Sequence, residues 1–273
     1  MLIVSFSGGR TSAYMAYRLQ FDPVYAQIEK RYVFANTGKE LEETLLFVNE
    51  CDNRWGLNIT WIEALVNPVH GQGTRYRKVS FETASRNGEP FSDVIAKYGL
   101  PGKDAPLCSK ELKTRPISKW AKDNFGTDYQ MAIGIRIDER SRQKPDKYKV
   151  YPLIDWFPTW ELMVRSFWAK MDFDLGLKDY EGNCDLCWKK SLRKRMTLIS
   201  ERPGIETQWE AWEKADGEYT FDRDGFTIGQ IREMAAGKFN SAKDKFELCQ
   251  LQPTLFGLSE GIDVDKEAKC MCF

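Results

Sequence analysis

Histidine is almost missing from this 273-residue chain: His70 is the only one. That excludes zinc sites built on several imidazoles and leaves any Ser-His-Asp or Cys-His device dependent on one residue. Net charge is missing too, because 40 lysines and arginines balance 40 aspartates and glutamates. No global field then draws the protein to nucleic acid or a membrane surface, so phosphate binding has to be local. No apolar run approaches the roughly 18 residues of a membrane span, and neither an internal repeat nor a low-complexity segment is present. The amino terminus carries no basic leader; Met1-Leu2-Ile3-Val4-Ser5-Phe6 runs straight into a glycine loop. The expectation is a cytoplasmic protein without a membrane partner, folding from its first residue.

What is present suits a chain that can bury a substantial core in one large domain or in one domain plus an appendage. Seven cysteines is an odd count, and in a reducing compartment thiols are core residues, nucleophiles or metal ligands. The first third alternates strands with helices. Leu2–Phe6 is a continuous apolar run of the buried parallel type, followed by a loop and a helix carrying Met15, Ala16 and Leu19 inward. Tyr32–Ala35 reads as a second strand. Thr37 and Glu40 have the spacing of a capping box before Leu41, Leu45, Val48 and Trp55, and Ile59–Ile62 reads as a third strand. This repetition predicts an α/β fold, a mainly parallel sheet flanked by helices. Residues 67–107 are polar with weak periodicity. Pro116 suits the first turn of a helix through Trp120, and Tyr129–Ile137 reads as a returning strand. Thr159 is placed as the N-cap of an amphipathic helix with an inward stripe of Trp160, Met163, Val164, Phe167, Trp168 and Met171. The expected division is a nucleotide-binding domain over residues 1–175 and a mostly helical, cysteine-bearing part over 176–273, with a second capping box at Thr227–Gln230.

Between the first strand and helix stands Ser7-Gly8-Gly9-Arg10-Thr11-Ser12. Glycines let the backbone turn and approach a ligand, helix-start N–H groups point at negative charge, and hydroxyls add donors; this is an anion cradle. It resembles the S-G-G-x-D-S loop of the PP-loop superfamily (adenine nucleotide alpha hydrolase-like), and the leading Ser5-Phe6 is similar to its phosphoadenosine phosphosulfate reductase branch. Arg10 stands where lysine is usual and keeps the charge. Thr11 stands where ATP-splitting members carry aspartate, which speaks against metal-assisted cleavage of ATP. Asn36-Thr37-Gly38-Lys39-Glu40 is similar to the reductases' N-T-G-x-E segment, with Asn36 the better ligand candidate. Gly134-Ile135-Arg136-Ile137-Asp138-Glu139 is similar to their G-x-R-x-D-E segment. The resemblance implies that Ser7 to Ser12 and Arg136 hold the phosphates of a small adenylated nucleotide, with Asn36 near its sugar or base. An Arg–Asp ion pair at a strand end is the plainer reading of Arg136.

Cys108-Ser109-Lys110-Glu111-Leu112-Lys113-Thr114-Arg115-Pro116 resembles the C-C-x-x-x-K-x-x-P segment of cluster-bearing adenylyl-sulfate reductases, with Ser109 at the second cysteine; Cys184-Asp185-Leu186-Cys187 supplies a C-x-x-C downstream. The resemblance implies a 4Fe-4S iron–sulfur cluster on Cys108, Cys184 and Cys187, completed by Cys270 or Cys272; zinc held by four thiolates is the alternative. Reductases of this kind also use a carboxyl-terminal cysteine as nucleophile and a thiol-redox electron donor, which makes Cys270 or Cys272 the catalytic candidate. Cys51 and Cys249 read as packing residues. Lys189, Lys190, Arg193, Lys194 and Arg195 form a basic run whose default is a solvated face. The alternatives are charge compensation of the cluster and phosphate contacts to a nucleotide or RNA. The tryptophans at 160, 168, 209 and 212 read as core. The preferred expectation is a sulfonucleotide reductase-like enzyme. An ATP-dependent sulfurtransferase of the tRNA-thiolation or DNA-phosphorothioation type, or a non-catalytic nucleotide- or redox-sensing module, stands beside it.

Overall fold

The computed structural model describes residues 1–102, 105–144, 146–217 and 219–244. The chain divides into two compact units. Among the described residues the first comprises Met1–Lys97 and Leu107–Gly176, and the second lies within Tyr98–Pro106 and residues 177–244.

The first unit is an α/β structure on a six-stranded sheet. In chain order its elements are β1 (Leu2–Ser5), α1 (Arg10–Phe21), β2 (Lys30–Asn36), α2 (Glu42–Trp55), β3 (Thr60–Leu65), β4 (Arg75–Val79) and α3 (Glu89–Tyr98). There follow α4 (Arg115–Phe125), β5 (Gln130–Ala132), β6 (Lys149–Val150), α5 (Pro152–Asp155) and α6 (Glu161–Trp168). Strand order is β4-β3-β2-β1-β5-β6. All pairings are parallel except β3 with β4. The first strands step outward from β1 on one side, and the chain then crosses to β5 on the other. The order therefore reverses between β1 and β5, and their carboxyl ends splay apart there.

Burial explains the strands. β1 is buried at every residue, as a central parallel strand covered on both faces must be. On one face Ile3, Val33, Ile62, Met131 and Ile133 pack with Ile117, Trp120 and Ala121 of α4. Pro116 sits in the first turn of that helix, where its missing N–H has no partner to lose. A π-helical turn, Ser109–Thr114, leads into it. Among the described residues no helix is long and apolar enough to cross a membrane.

Several local expectations need correction. Thr37 and Glu40 do not cap α2, which starts from Leu41; they close a turn of their own, the Thr37 N–H and hydroxyl donating to Glu40 Oε2 at 2.8 and 2.7 Å. The returning strand is three residues long, because the chain leaves the sheet at Gly134 and enters a 3-10 turn at Ile137–Arg142. The polar stretch 67–107 contains β4 and α3. Trp160, not Thr159, is the N-cap of α6; Thr159 is buried and donates its hydroxyl to the Phe157 carbonyl at 2.7 Å. Of the α6 stripe, Val164 and Trp168 are buried while Trp160 and Met163 are exposed. Periodicity gives a helix an apolar side without saying how deep that side is set.

The second unit carries α7 (Leu192–Glu201), α8 (Thr207–Asp216) and α9 (Ile228–Ala236). The Thr227–Gln230 capping box is present in full at the start of α9. Trp209 and Phe221 meet edge to face with centroids 4.7 Å apart. Glu213 ties the turn between α8 and α9 by accepting from the N–H groups of Phe221 and Ile228 at 2.8 and 2.7 Å.

Cys51 lies in α2 with no exposed surface. Burial, followed by the charges of Glu50 and Asp52, pushes its thiol far above the ordinary range. The thiolate is the reactive form, so Cys51 is expected to resist iodoacetamide at pH 8.5 in the native protein and to react once urea unfolds it. Mass mapping of the alkylated peptides checks this; rapid native labelling of Cys51 contradicts it.

Candidate anion-binding cleft and the cysteine turn

The loop after β1 is built around two close approaches. Gly8 has φ of +81°, and a Cβ there meets Thr44 Cγ2 at 2.6 Å, so only glycine fits. A Cβ on Gly134 meets Ser12 Cα at 3.2 Å. The exit of β5 therefore lies directly against the first turn of α1, whose N-cap, Gly9, supplies no side-chain hydrogen bond to the helix start. The loop is also braced from within. Ser12 Oγ accepts from the Ser7 N–H at 3.1 Å and the Ser7 hydroxyl at 2.9 Å, and donates to the Gly9 carbonyl at 2.9 Å.

Between the ends of β1 and β5 lies a shallow cleft of about 10 Å³, bounded by Ser5, Ser7, Ser12, Ile133, Gly134 and Arg142. It shares Ser5 and Ile133 with a wider, more apolar cleft of about 50 Å³, where Ile117, Met131 and Tyr151 form the walls and Lys144 and Lys149 the cations. Both stand at the point where the strand order reverses, the usual ligand position in an open α/β sheet.

Arg136 is brought to this loop as well. Its Nη1 donates to Thr11 Oγ1 at 3.1 Å, while Nε and Nη2 fork onto Asp138 at 3.1 and 2.9 Å. The plain ion pair at a strand end is thus real, and the same guanidinium also touches the loop. Desolvation works against its charge, but Asp138, Glu139 and Glu161 outweigh it and leave its pKa raised. Arg10 turns away from the loop's concave side to fork onto Asp174, its Nε donating at 2.7 Å. Nothing local marks Asp174 for this role, since it lies 164 residues along the chain.

Asn36 is fully buried. Its amide N–H groups go to Glu63 Oε1 at 2.7 Å and the Ser85 carbonyl at 2.8 Å, and its oxygen accepts from the Gly38 N–H at 3.2 Å. This side chain holds the turn after β2 instead of facing the clefts. Glu63 anchors the group: it also accepts from the Ser85 N–H at 2.6 Å and pairs with Arg77 at 2.7 Å. Lys113, the lysine of the Cys108 segment, is buried and pairs with Glu40 at 3.2 Å, so two of the motifs read from sequence meet in space.

Cys108 belongs to the first unit and is half-buried. Cys184 and Cys187 belong to the second, both buried at 8% exposure. Their turn is held by Trp209, whose Nε1 donates to Asp185 Oδ1 at 2.8 Å, and by Lys190, whose ammonium donates to the Cys184 carbonyl and, at 2.9 Å, to that of Asp185. The basic run is not a solvated face: Lys189, Lys190 and Arg195 are all buried. Arg195 pairs with Asp222. Burial lowers its pKa to about 10, opposed in the first place by the negative charge of Cys187. Among the described residues no group of three or more His, Cys, Asp or Glu forms a metal-holding set. Cys249, Cys270 and Cys272 lie outside the described residues.

Fold and loop together define an open α/β protein with a glycine-turned, hydroxyl-rich loop at the reversal point of its sheet. No protein-family model matches the chain. It is 34% identical over 208 residues to an uncharacterized nin region protein, ORF290, of Escherichia phage lambda, across 75% of this chain and 71% of that protein. The chain belongs to the family of that phage protein. It is also 25% identical over 236 residues to the uncharacterized protein MJ0066 of Methanocaldococcus jannaschii, across 80% of this chain and 42% of that one. A second protein of the same archaeon, the uncharacterized MJ0973, is 22% identical over 162 residues, 56% of this chain and 32% of its own length. The chain thus spans less than half of either archaeal relative.

Replacing Glu63 by alanine is expected to leave the Asn36 amide and the Ser85 N–H without their acceptor. A buried donor left unsatisfied costs about 1–3 kcal/mol. Urea unfolding followed through the first unit should therefore show a loss in the range of about 2–4 kcal/mol; a midpoint unmoved from the parent's contradicts the anchoring role.

Proposed function

We propose that the first unit binds a small adenylated nucleotide at the reversal point of the sheet, and that the protein is a phosphoadenosine phosphosulfate/adenylyl-sulfate reductase-like enzyme. The observation that carries the reading is the cleft between β1 and β5, where the Ser7 and Ser12 hydroxyls, the start of α1 and the exit glycine Gly134 converge. Phosphate oxygens suit such a place because the N–H groups at a helix start supply donors without a large reorganisation. The adjoining cleft offers apolar walls, Ile117, Met131 and Tyr151, against which the sugar or base would lie. Arg136 orients the loop through Thr11. Asn36, its amide committed to protein partners, acts by shaping the neighbouring turn. Thr11 in the place of a carboxylate favours reduction of the nucleotide's sulfur over splitting of ATP. In this reading a thiolate of the chain, Cys270 or Cys272, attacks the sulfur, and the adenosine phosphate leaves with the bridging oxygen. A dithiol donor then supplies the two electrons that release sulfite and restore the thiolate.

The reading includes an iron–sulfur cluster ligated through Cys184 and Cys187. Two buried thiols on one turn, with Arg195 nearby to offset negative charge, are the kind of donor set that soft metals take. Two further thiolates are needed, for which the sequence offers Cys108, Cys270 and Cys272. Such a cluster supplies a fixed charge or a one-electron redox centre. Lys190 and Trp209 keep its turn in shape.

Two measurements test the parts separately. Titration calorimetry with adenylyl sulfate, phosphoadenylyl sulfate, ATP and AMP should show binding that falls at least about tenfold in Gly8→Ala, since a Cβ at positive φ displaces the loop. A folded Gly8→Ala protein with unchanged affinity defeats the cleft assignment. Anaerobically purified protein should contain iron and acid-labile sulfide in equal amounts, lost in Cys184→Ser and Cys187→Ser; stoichiometric zinc without iron defeats the cluster.

A further inference from the structure

We infer that the segment from Arg140 to Lys149 binds the sugar–phosphate backbone of a single-stranded nucleic acid, with Tyr148 as a platform for a base. Five cations and one carboxylate, Asp146, fall in these ten positions, in a chain whose charges cancel overall. Two of the cations are neutralised locally, Arg142 by Glu139 at 2.6 Å and Lys149 by Asp146 at 2.8 Å. Arg140, Lys144 and Lys147 are exposed and, among the described residues, face no carboxylate at ion-pair distance.

An exposed aromatic stands among them. The Tyr148 ring is 50% exposed, with Lys147 Nζ 4.8 Å from its centroid. Its backbone is nevertheless fixed: the Tyr148 N–H donates to Asp146 Oδ1 at 3.0 Å, and its carbonyl accepts from the Met131 N–H at 2.7 Å. A flat ring is thus held by its backbone, with Lys147 against one face and Arg140 and Lys144 exposed in the same segment. Sequence-tolerant binding of single strands uses this combination. Edge protection explains Lys149, which lies on the outermost strand β6; it does not explain an exposed tyrosine or cations placed before the strand. A mononucleotide does not need them either, since its phosphates have the loop after β1. Lys144 and Lys149 also border the wider cleft, so a strand on this segment runs past the mouth of the proposed nucleotide site. The inference rests on that reading only for the strand's position, not for its binding.

Fluorescence anisotropy of the full chain with labelled single strands of about 12 nucleotides, RNA and DNA in parallel, over a potassium chloride series, tests it. Affinity should fall with salt at about −0.7 log units per log unit for each phosphate contacted. Arg140→Glu with Lys147→Glu should cost at least about tenfold in affinity and reduce the slope by about 1.4. Tyr148→Ala should cost about tenfold while Tyr148→Phe binds like the parent, because stacking needs only the ring. Stronger binding of RNA assigns the strand as RNA through its 2′-hydroxyls, and equal binding assigns a backbone-only mode; both support the inference. It is overturned if neither strand binds, if the charge-reversed protein binds as well as the parent, or if phosphatidylserine vesicles bind and oligonucleotides do not. Mononucleotide calorimetry on the same variants separates the two proposals, since Arg140, Lys147 and Tyr148 are not among the residues lining the clefts.

Discussion

The closeness of Gly134 to Ser12 is the constraint on which the first unit's cleft depends. A Cβ at residue 134 meets Ser12 Cα at 3.2 Å, so the chain leaving β5 rests on the first turn of α1. From that contact follow the narrowness of the cleft, the exit of the chain from the sheet after three strand residues, and the delivery of Arg136 to Thr11. A larger residue at 134 pushes the exit of β5 outward and takes the guanidinium with it. Gly8 does the corresponding work on the other side, because its positive φ and its contact with Thr44 bring the loop down onto α2.

In the first unit charged side chains are arranged in pairs, each tying together segments that lie apart in sequence. Arg10 with Asp174 fastens the last stretch of the unit to α1, and Trp168 reinforces it by donating to the Arg10 carbonyl at 3.0 Å. Glu63 with Arg77 joins the antiparallel edge strand to the turn after β2 through Asn36. Lys113 with Glu40 joins the π-helical turn to that same turn. Of these only Lys113 with Glu40 is buried on both sides; removing one member there leaves the other charge in a poor solvent, so that pair fixes register more than it adds net stability.

The parallel sheet, the loop after β1 and the second capping box were legible because each is written in a short window. Continuous apolar strands, a glycine pair before a helix, and Thr227 three residues ahead of Gln230 need no distant partner to be recognised. The first capping box misled for a physical reason. Thr37 and Glu40 do bond to each other, but the same carboxylate also faces Lys113, and the turn closes before the helix begins. Asn36 misled similarly: a polar residue at a strand's carboxyl end looks like a ligand until Glu63 and Ser85 claim its amide. No window around Arg10 could reveal Asp174, and no pattern of charges could tell that Lys190 and Arg195 turn inward. The sequence shows charge; burial is decided by tertiary packing.

These pairings also bear on how an anion is recognised in the reading proposed above. Arg10 and Arg136, the two cations flanking the loop, already hold Asp174 and Asp138 in forks. A phosphate that sought either guanidinium would have to displace a carboxylate fixed in the same geometry, and the gain would be the difference between two charge-assisted contacts. The larger share of affinity must then come from the N–H groups at the start of α1, since the Ser7 and Ser12 hydroxyls are themselves engaged within the loop. Dipoles of this kind read the shape of an anion more than its total charge, and mobile ions screen them less than they screen exposed lysines. In that reading the loop after β1 would select for one compact group, whereas the exposed cations from Arg140 onward would serve attraction at a distance. A chain of zero net charge could do both, because the two tasks would fall to different groups: oriented backbone in the cleft, and exposed side-chain charge on the segment from Arg140 to Lys149.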